Sequence, residues 1–170
     1  TLILRKNQKL HIYILQELIN RGVNAKLTIL GEGKQKENLI KLSTDKGLNN
    51  YIDFYGNVDN ISDYFGKSDI MLHTAIKEPF GLVITEAMAS GLPCVMLDGI
   101  GNSEIVEDGE NGYIIPTQDI KLFADKIEHI VKSDDIWKRF SLHAIDAARK
   151  FDINSYIDKL MLIYKSRFIK

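Results

Sequence analysis

Two carboxylates placed around a glycine are the part of this chain with the most chemistry in it. Glu78 and Glu86 flank Gly81 in the run Glu78-Pro79-Phe80-Gly81-Leu82-Val83-Ile84-Thr85-Glu86-Ala87-Met88-Ala89-Ser90-Gly91-Leu92-Pro93. A strand-like run, Ile70 to His73, precedes this stretch, and helical spacing starts at Gly81. In an open parallel sheet the carboxyl ends of the strands face the ligand crevice, which puts Glu78 at its mouth. Gly81 has no Cβ and lets a ligand approach the backbone, while the Gly81 and Leu82 amides at a helix N-terminus favour an anion such as phosphate. Glu86 falls between one and two turns into the helix, so a side chain leaning toward the N-terminus borders the same pocket. A carboxylate repels phosphate, and its partners there are hydroxyls, as on ribose or hexose. Taken singly, a helical glutamate is more often a solvated surface residue, and the spacing alone does not decide the matter.

The elements that must position these groups alternate between short β-rich runs and amphipathic stretches, the pattern of βαβ units closing a parallel sheet. Strands are expected at Thr1 to Leu4, Ala25 to Leu30, Ile52 to Tyr55, Ile70 to His73, Cys94 to Leu97 and Tyr113 to Ile115. Helices are expected at Lys9 to Arg21, Lys34 to Lys46 and Gly81 to Ser90, with a short turn at Ile61 to Phe65. Gly91 and Pro93 end the third helix, glycine suiting a left-handed cap and proline being unable to continue. After Pro116 only helical spacing remains, over Ile120 to Lys132, Asp134 to Lys150 and Asn154 to Lys170, with Asp152 or Asn154 as the last N-cap. The expected fold is α/β, a doubly wound, mostly parallel, six-stranded Rossmann-like sheet with a helical C-terminal tail, in one domain over residues 1–170.

The long run resembles the signature of the glycosyltransferases of family 4, a retaining family with the GT-B fold: E-x-F-G-L-x-x-x-E-A-M-A-x-G-x-P. The likeness continues through Gly99, Gly101, Glu104-Ile105-Val106, Asp108-Gly109 and Asn111-Gly112-Tyr113. Upstream, Ile29-Leu30-Gly31-Glu32-Gly33 is similar to the family's strand followed by G-x-G, and Phe54-Tyr55-Gly56-Asn57-Val58 to its F-x-G-x-V turn. The resemblance covers essentially the whole chain and implies the C-terminal, donor-binding half of such an enzyme, its last helix, 154–170, packing on an N-terminal domain that supplies the acceptor site.

Carried onto these positions, the resemblance implies that Glu86 accepts from the ribose hydroxyls and that Glu78 contacts the donor sugar near the reacting carbon. It implies that backbone groups of Gly81 and Leu82 hold the diphosphate and sugar and that the backbone at Val58 reads the base edge, with Phe80 among the donor-binding residues and Gly31 in a loop bordering the nucleotide. Lys6, in Arg5-Lys6-Asn7-Gln8, resembles the lysine that neutralises diphosphate charge as the leaving group departs, a place where such a site gains rate. In the family the phosphate-binding arginine stands several residues before that lysine, whereas Arg5 directly precedes Lys6. Either the loop is shorter here or residues before Thr1 belong to it.

Composition narrows the alternatives. With 22 basic and 23 acidic residues the net charge is -1, which offers no counterion-release drive toward nucleic acid. The single cysteine, Cys94, makes no internal disulfide and reads as a small core hydrophobe, and no cluster has metal-ligand spacing. Apolar runs fall far short of the roughly 20 residues of a spanning helix, and residues 1–6 lack the order of a signal peptide, so cytoplasmic residence is expected. His73 ends a strand facing the crevice and reads as structural or as a peripheral ligand, while His11, His129 and His143 lie on helices with no partner in view. Gly31-Glu32-Gly33 is weak as a dinucleotide motif, because Lys36 replaces the third glycine of G-x-G-x-x-G.

The resulting expectation is a transferase that moves a sugar from a nucleoside diphosphate to an acceptor hydroxyl with retention, using no cofactor and no metal. Similarity around Leu97-Asp98-Gly99-Ile100-Gly101-Asn102 points to bacterial surface-polysaccharide assembly, such as capsule or lipopolysaccharide, on family analogy alone. The acceptor, a saccharide or lipid-linked saccharide, would be held by the N-terminal domain, and 1–170 alone would be inactive. A noncatalytic nucleotide-sugar-binding module is the alternative. A further reading docks Lys159, Lys165, Arg167 and Lys170 peripherally on the inner face of the membrane, although cations at a helix end also cap its dipole.

Overall fold

The chain folds into short parallel strands separated by helices, and the apolar patterning decides which face each one buries. A computed structural model describes residues 1–77, 81–99 and 105–168, the side chains of 154–156, 158, 159 and 168 excepted. The strands are β1 (Leu27–Leu30), β2 (Ile52–Tyr55), β3 (Met71–His73), β4 (Cys94–Leu97) and β5 (Gly112–Ile115). The helices are α1 (Gln8–Asn20), α2 (Lys36–Asp45), α3 (Ser62–Phe65), α4 (Leu82–Ala89), α5 (Ile120–Val131), α6 (Asp134–Ala148) and α7 (Ile153–Phe168).

All pairings are parallel. Leu27 stands opposite Ile52 and Leu30 opposite Tyr55, while β4 lies between β3 and β5 with Met71 opposite Cys94 and Cys94 opposite Gly112. Every residue of β4 is buried, as expected of a strand covered on both faces. Its alternating side chains serve two cores. Val95 and Leu97 pack with Leu10, Ile14 and Leu18 of α1, Phe123 and Ile130 of α5, and Phe140 of α6. Cys94 and Met96 pack with Ile84 and Met88 of α4 and Ala144 and Ala147 of α6. Helices on both faces of one sheet make the fold doubly wound, and each large side chain so buried stabilises it by about 1.5–3 kcal/mol.

The strand count differs from the expectation. Among the described residues there are five strands, in a two-stranded sheet β1-β2 and a three-stranded sheet β3-β4-β5, and Thr1 to Leu4 is not a strand. Residues Leu4–Lys6 form a 3₁₀ turn. The Leu2 amide donates to the Glu32 carbonyl (2.9 Å) and its carbonyl accepts from the Gln35 amide (3.1 Å). The apolar run is buried, with Leu2 packed among Ile12, Leu15, Ile29 and Leu39, but its backbone is satisfied by the loop after β1 and not by a ladder.

Local termini follow their residue chemistry. Asp119 caps α5 by accepting from the amides of Lys121 and Leu122 (2.9 and 3.1 Å). Gly91 sits left-handed (φ 83°) after α4, its amide donating to the Met88 carbonyl and that of Leu92 to the Ala87 carbonyl, the 5→2 and 6→1 bonds of a Schellman motif. α7 begins at Ile153, which puts Asp152 at the N-cap position and Asn154 inside the helix. Its Ile157, Leu160, Met161, Ile163 and Tyr164 are exposed.

Candidate functional site

The residues singled out by sequence fall on the loops after β1 and β2, on the turn before α1 and on α4. After β1 the chain turns through Gly31, whose amide donates to the carbonyls of Tyr55 (3.2 Å) and Gly56 (2.9 Å). The loops after β1 and β2 are thereby joined, and half-buried Val58 lies two residues beyond Gly56. A Cβ on Gly33 would overlap the Leu2 carbonyl, so only glycine lets residues 1 and 2 cross the end of β1. Glu32 pairs with Lys36 at 2.5 Å, and Tyr55 meets Tyr64 edge-on with ring centroids 5.0 Å apart.

Arg5 and Lys6 sit on the 3₁₀ turn, and that turn is fastened to the chain leaving β3. The Ile76 amide donates to the Arg5 carbonyl (3.0 Å), and the buried Thr74 hydroxyl lies 2.9 Å from the Asn7 carbonyl and 3.3 Å from that of Lys6. Asn7 takes a left-handed conformation (φ 53°), which asparagine tolerates better than most residues, and turns the chain into α1. Lys6 is half-buried and Arg5 exposed. Because Ile76 is two residues from Glu78, the turn bearing both cations is anchored beside the segment that leads into the acidic loop. Thr74 escaped the sequence reading. Its only signal was a hydroxyl directly after a strand end.

Gly81 is buried and left-handed (φ 75°, ψ 47°) as the N-cap of α4, and its carbonyl accepts from Ile84 (2.7 Å). An L side chain there would be strained by about 1–2 kcal/mol. Four residues apart, Leu82 and Glu86 share the exposed face of α4, while Ile84, Ala87 and Met88 are buried on the other. Glu86 therefore sits on the stripe that begins at the first helical amides. Glu78 and Phe80, like Gly101 and Glu104, lie outside the described residues.

The downstream element with similar residue types serves the backbone. Asn111 is buried and its Oδ1 accepts from the Glu107 amide (2.9 Å), while Asp108 Oδ1 accepts from the Ile114 amide (2.8 Å). Gly109 is left-handed (φ 80°), and a Cβ on Gly112 would collide with the Cys94 carbonyl. These groups set the entry of β5 beside β4.

Of the three helical histidines read with no partner in view, His129 and His143 have one, while His11 Nε2 has no hydrogen-bond partner among the described residues. His129 Nδ1 lies 2.8 Å from the Tyr113 hydroxyl, and His143 Nδ1 is 3.2 Å from Glu110. His11 has its Nε2 shut off from solvent; burial, with His73 adding to it, lowers its pKa to about 3 and keeps it neutral. Both pairings join residues far apart in sequence, which helical spacing cannot reveal. Burial pushes the Cys94 thiol well up, in keeping with its place in the core. Among the described residues no three His, Cys, Asp or Glu gather as a metal site.

Parallel strands with helices between them thus bring Gly31, the Arg5-Lys6 turn and the strand-end Thr74 into one bonded set of loops, and α4 presents Glu86 on its exposed side. Residues 1–151 match the family described as Glycosyl transferases group 1, and the chain belongs to it. A lipopolysaccharide core biosynthesis glycosyltransferase, LpsE of Rhizobium meliloti (strain 1021), is 33% identical over 129 residues, covering 76% of this chain and 38% of the relative. A mutant of S. aureus TarM crystallised with Fondaparinux, alpha-GlcNAc-glycerol and UDP superimposes with a TM-score of 0.87 at 27% identity, over 94% of this chain and 33% of that one. Anabaena Alr3699/HepE in complex with UDP-glucose gives a TM-score of 0.84 at 26% identity, over 97% and 46%. The GT-B glycosyltransferase likeness of the fold is thus established, and the chain spans 38 to 43% of the length of the first curated relatives it matches.

Proposed function

We propose that this chain is the donor-binding half of a retaining glycosyltransferase, holding a nucleoside diphosphate sugar while its sugar passes to an acceptor hydroxyl. The observation that carries the reading is α4. A left-handed glycine opens the helix, and Glu86 stands on the exposed face that starts at Leu82. Amides in a helix's first turn have no intrahelical acceptor, so the N-terminus attracts phosphate, and a carboxylate one turn along takes hydroxyls. In this reading Gly81 and Leu82 hold the diphosphate, Glu86 the ribose, and Gly31 with the backbone at Val58 the base. Lys6, with Arg5 beside it, offsets the charge of the departing diphosphate. Glu78 and Phe80 take the sugar, a role that rests on the resemblance of residues 78–93.

We further propose that a preceding domain supplies the acceptor site and that the exposed apolar side chains of α7 pack on it. The names of LpsE and of the alpha-GlcNAc-glycerol complex support a surface-polymer acceptor. No described helix is long and apolar enough to cross a membrane, and peripheral contact through the cationic end of α7 is part of the proposal. Neither cofactor nor metal enters the scheme, since the charge on the leaving group falls to Lys6, Arg5 and the helix.

Isothermal titration of the full-length protein with UDP, GDP and ADP tests the reading. Binding of one of them is expected, weakened by Glu86→Ala. Absence of binding by any of the three to folded protein would refute it. Donor hydrolysis or transfer by the same sample separates an enzyme from a module that only binds.

A further inference from the structure

We infer that Thr74 is a positioning residue for Lys6, so that a buried hydroxyl at the end of β3 governs how firmly the site holds a diphosphate. The inference rests on the reading of Lys6 proposed above. Lys6 ends a 3₁₀ turn of three residues, Leu4–Lys6, whose internal support is slight. The Lys6 amide donates to the Ile3 carbonyl (3.0 Å) and the Asn7 amide to that of Leu4 (3.1 Å). A turn this short has poor hydrogen-bond geometry and bears the cost of nucleation without the gain of propagation, so outside bonds must fix where it stands.

The bonds that reach the turn from elsewhere are not equivalent. Asn7 Nδ2 donates to Gln118 Oε1 (3.2 Å) in an exposed pair, where water competes for both partners and the net gain is small. The Ile76 amide donates to the Arg5 carbonyl (3.0 Å), a backbone bond open to any residue there except proline. Thr74 differs from both. It is 1% exposed, and its hydroxyl lies 2.9 Å from the Asn7 carbonyl and 3.3 Å from that of Lys6. A hydroxyl has one proton, and the nearer Asn7 oxygen takes it, beside the Leu10 amide that the same carbonyl already accepts (3.0 Å). Shielded by burial, such a bond is electrostatically stronger than the exposed one.

The side chain is suited to aiming. A β-branched residue is restricted at χ1, so the hydroxyl keeps a fixed direction from the end of β3. That strand is itself held by β4, with His73 opposite Met96. Thr74 thus carries the rigidity of paired strands into Asn7, whose left-handed backbone (φ 53°) joins the cationic turn to α1. Lys6 is the residue before that junction. Its ammonium is a compact point charge on a flexible stem, and only a fixed backbone limits where such a stem can reach. A charge set in place before the ligand arrives interacts more strongly than one that must be ordered at the moment of binding.

Calorimetry on the full-length protein, comparing UDP, GDP and ADP with the matching monophosphates, tests it. Lys6→Ala should lower the preference for diphosphate over monophosphate by roughly ten- to 150-fold, the loss of one bond to a charged group. Thr74→Val keeps the shape and removes the hydroxyl. It should lower the same preference by roughly tenfold, as a displacement of about 0.5 Å does, while the monophosphate affinity stays nearly constant. Thr74→Ser should restore the preference. In the Lys6→Ala background Thr74→Val should lower it no further, because its effect runs through Lys6. A hydroxyl that serves structure alone would lower the melting temperature and weaken both ligands alike. That result, an additive loss in the double variant, or an unchanged preference in Thr74→Val would overturn the inference. If Thr74→Val does not fold, Thr74→Ala takes its place, and failure of both to fold assigns the hydroxyl to structure and overturns the inference as well. Failure of the underlying reading looks different: the unaltered protein then binds none of the three diphosphates, or Lys6→Ala leaves the preference intact.

Discussion

Replacing Glu86 with alanine separates a binding carboxylate from a structural one, because its place on α4 makes the two roles predict opposite patterns. Glu86 is exposed and the buried side of α4 is Ile84, Ala87 and Met88, so the substitution removes no core contact. Alanine is also the better helix former by a few tenths of a kcal/mol, and the melting temperature should hold or rise slightly. Binding should behave otherwise. A hydrogen bond to a charged group contributes about 1.5–3 kcal/mol, and at 1.4 kcal/mol per factor of ten the loss is roughly ten- to 150-fold in Kd for the preferred nucleoside diphosphate. Titration calorimetry on the full-length protein measures it, with the 2′,3′-dideoxy nucleotide as the internal control. The unaltered protein should lose a similar factor toward the dideoxy ligand, while Glu86→Ala should bind the two ligands almost equally. Equal affinity of variant and parent for the ordinary nucleotide, or an additive loss when both changes are made, would refute the assignment of Glu86 to ribose.

Other substitutions probe the elements around it. Gly81→Ala forces an L residue into a left-handed cap and should cost about 1–2 kcal/mol of stability as well as donor affinity, read by thermal melting and calorimetry. Asn111→Ala removes the buried side chain that accepts from the Glu107 amide and should destabilise by about 0.5–1.5 kcal/mol in a denaturant titration while leaving the nucleotide Kd of folded protein unchanged. His11 is held neutral by burial, with His73 adding to it, its pKa near 3 against an ordinary 6.5, so the unfolded chain binds one more proton as pH falls below 6.5. Stability should therefore decline from pH 6.5 toward 3 by up to about 1.4 kcal/mol per pH unit, and His11→Leu should lessen that slope when unfolding is measured across the range.

Much of this arrangement was legible in the sequence where the determining interactions are short in range. β2 and β4 run as the apolar, β-rich runs at 52–55 and 94–97 indicate, and the stop of α4 at Gly91 follows from a glycine two residues before a proline. Thr1 to Leu4 misled because apolar and β-branched character measures burial, and burial can be reached without a ladder. Leu2 enters the core while its amide and carbonyl bond Glu32 and Gln35. The positions of Thr74, His129 and His143 depend on partners 16 to 67 residues away for the first two and on Glu110 for the third, separations that no local periodicity encodes. At the site, the residue types and their loops were readable, whereas the bond from Ile76 to Arg5 that draws the cationic turn to the acidic segment was not.

Two stretches of this chain combine acidic or amide side chains with glycine, and the structure uses them differently. In 107–112 the side chains of Asp108 and Asn111 are bonded to nearby amides, and Gly112 lets β5 approach the Cys94 carbonyl. Those oxygens hold the entry of a strand and have little left to offer a ligand. On α4 the glycine supplies the cap conformation itself, and the carboxylate that follows is turned to the exposed side of a helix otherwise packed into the core. The first-turn amides of α4 favour the phosphates of a ligand, and Glu86, one turn further along the exposed side, is placed for groups that donate hydrogen bonds. Composition alone would rank the two stretches as equals, while the accounting of backbone donors assigns scaffolding to 107–112 and leaves the exposed side of α4 for the recognition proposed above.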